Sequence, residues 1–336
     1  MSMSKPNKLY SLQILRAIAS TVVVYFHTFF SPEFGMFGVD LFFVLSGFVI
    51  CMVTDNKSTS VPRFCFDRVA RIVPVYWLMT SGLFLLVLVK PDLLNTSTAD
   101  FGNYLKSLFF IPHIREAGGV YPLLMPGWTL NYEMLFYAVI GCGLIVCRNA
   151  LTRFTGVAML VLYLLGDSLN EEGAMSHVLH SSLLFEFLLG MLAYRVKDSK
   201  LFCSIPKSVA FGLVILLFIL MGLFENRADR LIIGGIPSFI LIIMFYQLED
   251  QIRGIGDRAV QFFVHIGDAS YVTYLSHMYV IAFLNRLVFP RIPILSNESI
   301  LTVGISICLS LICGSVIYYL VDQPSMSFLR SRFRPQ

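Results

Sequence analysis

Apolar residues run along this chain in long unbroken blocks separated by short polar breaks, and they do not alternate with polar ones. Blocks of about 17–25 residues suit helices that cross a bilayer. The alternating ten-residue segments of a membrane β-barrel are missing. The blocks predict spans at 9–29, 35–53, 73–89, 126–147, 154–169, 178–194, 206–224, 231–248, 270–289 and 300–321. The expected fold is therefore all-α, a polytopic membrane bundle of about ten helices. No polar break is long enough for a soluble domain. The longest, about 90–125, is rich in Pro and Gly, and its "YLKSLFFI" reads as a short interfacial helix. One membrane domain over 1–336, with no appended soluble domain, is the expected organisation.

Composition agrees with the pattern. Hydrophobic residues make up 57% of the chain, charged residues 14%, and the mean hydropathy is +0.75. A soluble domain is nearer half apolar and a quarter charged. The first block follows only Lys5 and Lys8 and lacks a small-residue cleavage site, so it is expected to persist in the mature protein. With both termini in the cytoplasm, the inner segments collect about seventeen Lys and Arg. These include Lys57, Arg63, Arg68, Arg71, Arg195, Lys197, Lys200, Arg330, Arg332 and Arg334, and the outer segments hold about seven. That asymmetry is the positive-inside pattern. The net charge of +4 thus reports topology, and no basic domain suited to nucleic acid exists. All seven cysteines fall in spans or inner loops, so no exterior disulfides are expected; Cys142/Cys147 and Cys308/Cys313 read as small packing residues.

Ionisable residues inside the blocks narrow the function, because each is costly in a bilayer. Arg16 and His27 share the first span. Eleven residues at about 100° each bring them to one face, about 16 Å apart along the axis. Asp40 enters the second span at a depth near that of His27. It reads either as a carboxylate orienting that imidazole or as a helix cap or partner of a neighbouring Arg. Ser46 and Gly47 read as close-packing residues. Arg68 and Arg71 lie three apart at the inner surface, suited to gripping phosphates or to simple anchoring. Thr129, Glu133 and Tyr137 share a face of the fourth span. Glu186 is a structural partner for Arg16, and His277 is expected at the level of Arg16. His113, His177, His180 and His265 fall at edges and loops, where a solvated role is expected. Metalloprotease, P-loop and serine-hydrolase motifs are absent, as is any Cys/His set spaced for a metal.

Several ordered motifs resemble the acyltransferase 3 family of integral membrane proteins. They are the Arg–ten–His spacing of Arg16 and His27, "GVDLFFVLSGFVI", "RVARIVPVYW", "GWTLNYEMLFY", "FEFLLGM", "SYVTYLSH" and "YYLVDQPS". The resemblance implies a bacterial inner-membrane enzyme that takes an acyl group, acetyl or succinyl, from cytoplasmic acyl-CoA. The acceptor would be a hydroxyl of a carbohydrate or lipid-linked glycan. By motif position, Arg16 and His27 carry over as the essential pair, Arg68 and Arg71 as donor-side arginines, and Glu133 as the motif acid. Asp322 stands where relatives often carry Glu. His27 is then the general base, with Asp40 or Glu133 orienting it, and an acyl-His27 intermediate is the variant mechanism. Arg16, with His277, lines the donor path or binds the oxyanion. A proton-coupled transporter or glycan flippase would also keep such residues, but should show two corresponding halves. No internal symmetry of that kind is visible. A scaffold role leaves Arg16 unexplained.

Overall fold

The computed structural model describes residues 8–28, 35–55, 59–90, 100–116, 118–169, 173–224, 229–295 and 299–335. Lys5, Lys57, the Asn95–Ala99 part of the outer loop, and Asn170, Glu171 and Glu172 lie outside these. Ten long helices follow in order: α1 Tyr10–Thr28, α2 Phe37–Thr54, α3 Val61–Val89, α4 Trp128–Val146, α5 Leu151–Ser168, α6 Leu183–Val196, α7 Lys207–Phe224, α8 Ile236–Gln247, α9 Arg258–Phe283 and α10 Ile300–Ile317. Among the described residues there is no strand, only an isolated bridge between Ile114 and Val120.

Among the described residues eight helices are long and apolar enough to cross a membrane, or nine if the segment Leu231–Gln247 with Glu249–Ile255, bent by 54°, forms one span. α1, at 19 residues, is long enough but is not one of these, because its polar Gln13, Arg16 and His27 lower its apolarity. The expected polytopic bundle is therefore present, and the chain is a multi-pass membrane protein.

Local chemistry sets several boundaries. Ser60 caps α3 by accepting from the Arg63 N–H, with Pro62 in the first turn. Ser299 and Thr302 form a reciprocal capping box at α10. The α1 amino terminus is capped from another helix, since Glu249 accepts from the Tyr10 and Ser11 N–H groups at 3.0 and 2.8 Å. Contacts between inner segments join regions that the basic-residue count assigns to one side. Asp67 pairs with Arg330 and Arg334, Asp55 with Arg195, and Lys8 with Asp268.

α1 packs along α9 and α2 along α6, with glycines at the crossings. A Cβ on Gly47 would stand 2.0 Å from the Phe187 carbonyl oxygen, and one on Gly190 would stand 1.9 Å from that of Val44. The packing expected of Ser46–Gly47 is realised through the glycine. The outer segment and the cysteines add two details. The helix Phe101–Leu108 docks on α3: Tyr76 Oη donates to the Ser107 carbonyl at 3.0 Å, Trp77 Nε1 to that of Leu108 at 2.8 Å, and Tyr104 stacks on Phe84. The expected short helix is present, and it leaves Phe101 and the following Phe109 largely exposed. Cys142, Cys147 and Cys308 are exposed and Cys313 is half-buried, so these are outward-facing residues and do not pack the core. All seven cysteines are free.

Candidate active site

Arg16 projects from the inner half of α1, where its Nε donates to Ser270 Oγ on α9 at 3.2 Å. Arg16, Arg68, Arg71 and Glu133 line one cavity of about 100 Å³, together with Ser46 and Tyr274. The three guanidiniums meet one carboxylate. Glu133 accepts from Ser46 Oγ at 3.3 Å and from Tyr137 Oη on the same oxygen. Arg68 lies 5.9 Å from the centres of the Phe64 and Tyr137 rings, and Arg71 lies 6.0 Å from that of Tyr271. Arg68 Nε is buried with no hydrogen-bond partner among the described residues. The result is a cationic, aromatic-walled chamber with donors to spare, suited to an anion.

Above it stands a pair of imidazoles. His27 Nδ1 lies 2.9 Å from the Val23 carbonyl oxygen and 3.3 Å from His277 Nε2. His277 Nδ1 in turn lies 2.6 Å from the Tyr274 carbonyl oxygen. A carbonyl only accepts, so both Nδ1 atoms carry the hydrogen in the neutral rings. His277 Nε2 is then an acceptor facing the His27 N–H, and the lone pair of His27 is at Nε2. A backbone carbonyl and a second histidine thus fix the tautomer. His27 is not among the residues that line the arginine chamber; Tyr274 connects the two, since it lines the chamber and its carbonyl accepts from His277 Nδ1.

This geometry corrects three expectations. His277 was placed at the level of Arg16, yet it packs on His27. The inferred span began at 270, whereas α9 begins at Arg258, and the extra three turns lift His277 toward the outer side. Asp40 does not orient His27. It is buried and pairs with Arg230, Oδ1 to Nε 2.6 Å, so the neighbouring-Arg reading applies. Glu133 likewise faces the chamber and the hydroxyls of Ser46 and Tyr137. Glu186 lies beside Asp40 and Arg230, away from Arg16. A Cβ on Gly234 would come within 2.5 Å of the Asp40 carboxyl carbon, so that glycine is what lets the acid approach.

Arg230 stands one residue before the apolar block 231–248, where no pattern in the sequence sets it apart. Ser270 and Tyr274 stand inside "SYVTYLSH", four apart and on the same face as His277, which is the periodicity that could have grouped them. Among the described residues no three His, Cys, Asp or Glu side chains are placed to hold a metal.

Taken together, an arginine-lined chamber and a pair of histidines lie inside one multi-pass bundle. A family model described as an acyltransferase domain matches residues 9–319, and the chain belongs to the acyltransferase 3 family. It is 32% identical over 262 residues to the exopolysaccharide production protein ExoZ of Rhizobium meliloti strain 1021, covering 74% of this chain and 77% of that one. Against the peptidoglycan O-acetyltransferase OatA of Listeria monocytogenes it is 30% identical over 142 residues, covering 38% of this chain and 23% of OatA. The acyltransferase MdmB of Streptomyces mycarofaciens is 24% identical over 326 residues, covering 89% and 82%. No solved structure matches the chain. The protein is an acyltransferase.

Proposed function

We propose that the chain moves an acyl group, acetyl before succinyl, from cytoplasmic acyl-CoA to a hydroxyl of a carbohydrate at the outer side of a bacterial inner membrane. The observation that carries this is the shared wall of chamber and histidine pair at Tyr274. A chamber of about 100 Å³ has room for an acyl end or a few waters and not for the body of CoA. The nucleotide phosphates therefore stay at the inner mouth with Arg68 and Arg71, and the acyl arm reaches up past Arg16. The printed names of ExoZ and OatA support a polysaccharide or peptidoglycan acceptor.

In the proposed step, His27 Nε2 takes the proton of the acceptor hydroxyl as its oxygen attacks the thioester carbonyl. The carbon–oxygen bond forms, the carbon–sulfur bond breaks, and the imidazolium returns its proton to the departing CoA thiolate. Contact with His277 Nε2 stabilises the charged His27 ring, the part that a carboxylate plays elsewhere. Arg16 serves the donor path. It lies about 16 Å along the helix from His27, too far to hold an oxyanion at the same centre. Both termini inside, the arrangement that the basic-residue asymmetry favours, would put the chamber mouth toward the cytosolic donor.

The test is reconstitution. Purified protein in liposomes, given acetyl-CoA labelled in the acetyl group and a surface glycan from cells lacking this chain, should yield labelled ester on the glycan. Label that stays on CoA, with proton-driven glycan uptake instead, would replace transfer by transport.

A further inference from the structure

A second cavity, of about 490 Å³, opens on the outer side and takes no part in the steps above. Its walls come from Tyr121, from Trp128, Asn131 and Tyr132 of α4, from Asp167 at the end of α5, and from His180 before α6. Trp128, Asn131 and Tyr132 follow at i, i+3 and i+4, which places them on one face of α4. Their neighbours in the helix, Thr129, Leu130 and Glu133, line the arginine chamber. One helix therefore serves two cavities from two faces. The rings are held in fixed attitudes. Trp128 and Tyr132 pack edge to face with centres 5.8 Å apart, Arg230 lies 5.9 Å from the Trp128 centre, and Tyr163 stacks on His180 at 4.4 Å.

Asn131 supplies the decisive observation. It is only 6% exposed, and its Oδ1 has no hydrogen-bond partner among the described residues. A buried amide oxygen left unpaired costs about 1–3 kcal/mol. The Asn131 side chain lines the cavity, and an amide turned toward it would meet a ligand's hydrogen-bonding group. Fixed aromatic faces beside amide, imidazole and carboxylate groups match the alternating apolar faces and hydroxyl rims of a sugar ring. Charge points the same way: Arg230 is neutralised by Asp40, so among the described residues the wall carries no uncompensated guanidinium that would select an anion.

We propose that this outer cavity is a binding subsite for a neutral pyranoside unit of the glycan acceptor, with the Asn131 amide hydrogen-bonding a sugar hydroxyl and Trp128 as the apolar platform. This rests on the acyltransferase reading for the identity of the ligand, but binding is measured without chemistry. The chain has two tryptophans, Trp77 and Trp128, so Trp77→Phe leaves Trp128 as the only indole. The probe is a set of oligosaccharides cut from the surface glycan of cells lacking this chain, added to protein without acyl-CoA. The Trp128 emission should shift and saturate with sugar. Asn131→Leu should weaken that binding at least tenfold and raise the acceptor KM alike, with donor KM unchanged. Removing an unpaired buried oxygen does not destabilise a fold, so its thermal midpoint should hold or rise, which separates lost binding from lost folding. A Trp128 signal that stays flat at sugar concentrations that saturate transfer, or an Asn131→Leu protein with wild-type acceptor KM, overturns the subsite and leaves the transferase reading standing. Saturable binding without any transfer supports the subsite and removes the transferase reading instead.

Discussion

His277 Nε2 stands 3.3 Å from His27 Nδ1, and this contact from α9 takes the place that the sequence had offered to a carboxylate. A neutral partner stabilises an imidazolium less than an anion does, but it adds no second charge to a buried site. His27→Ala should lower transfer 10²–10⁴-fold, the usual worth of general-base assistance. His277→Ala should lower kcat by about 10–10²-fold with donor KM unchanged, because it acts through His27. His277→Gln should recover part of the rate, since an amide oxygen can accept from the same N–H. Steady-state kinetics on the three variants, with the pH–rate profile of each, make the check. A His277→Ala enzyme at wild-type kcat would remove the pair from the mechanism.

Asp40 should behave as a structural residue. It is 1% exposed and bound to Arg230, and stripping one partner from a buried pair typically costs about 3 kcal/mol. Asp40→Ala should therefore lower the thermal midpoint in detergent markedly. The fraction that stays folded should keep near wild-type kcat and an unshifted pH profile. Asp40→Ala combined with Arg230→Met, which removes both charges, should regain much of the stability. A tenfold or larger fall in kcat at unchanged stability would restore Asp40 to the catalytic group.

How far the sequence could be read depended on the kind of information each residue carried. Apolar block length is a local property, and it located every long helix from α1 to α10. Shared faces within one helix were also legible: Arg16 with His27, and Thr129 with Glu133 and Tyr137. The second stripe of the same motif, Trp128, Asn131 and Tyr132, has an equally clear period but holds no charge to draw the eye. Partners between helices were not legible. Depth was counted from the apolar edge, and α9 extends three turns beyond it through "RAVQFFVHIGDA", so His277 was set too low. Asp40 and Arg230 are 190 residues apart in the chain, and nothing in either segment names the other.

Arg68 and Arg71 carry the donor prediction. Both line the chamber, and each is steadied by an aromatic ring while its donors remain available. A charge-assisted hydrogen bond is worth about 1.5–3 kcal/mol, or roughly 10–150-fold in binding. Arg68→Ala and Arg71→Ala should each raise the donor KM within that range, with acceptor KM and sugar binding unaffected. Lysine at either site should recover only part, because the planar fork and its stacking are lost. Isothermal titration with CoA measures the same loss without turnover. Unchanged CoA affinity in the double alanine variant would return both residues to membrane anchoring.

The crossing of α2 and α6 yields the last prediction. Gly47 and Gly190 let the backbones meet so closely that the Cβ atoms of Gly47→Ala and Gly190→Ala would lie 2.0 and 1.9 Å from carbonyl oxygens of the facing helix. Those oxygens belong to the backbone and cannot swing aside as a long side chain would. Either substitution must therefore push the helices apart, and α2 carries Ser46 and Asp40 while α6 carries Glu186. Overpacking of this kind costs about 1–3 kcal/mol in well-packed interiors, and more where backbone must move. Gly190→Ala should lower both the thermal midpoint and the yield of folded protein. The double variant should cost less than the sum, since one displacement of the helices serves both methyl groups. Gly82 and Gly212, where an added Cβ meets nothing within 4 Å, supply the controls: alanine there should leave stability unchanged or raise it through helix propensity. Thermal denaturation of the four single variants and the double in one detergent decides the matter. A Gly190→Ala protein as stable as Gly82→Ala would mean that α2 and α6 do not approach this closely.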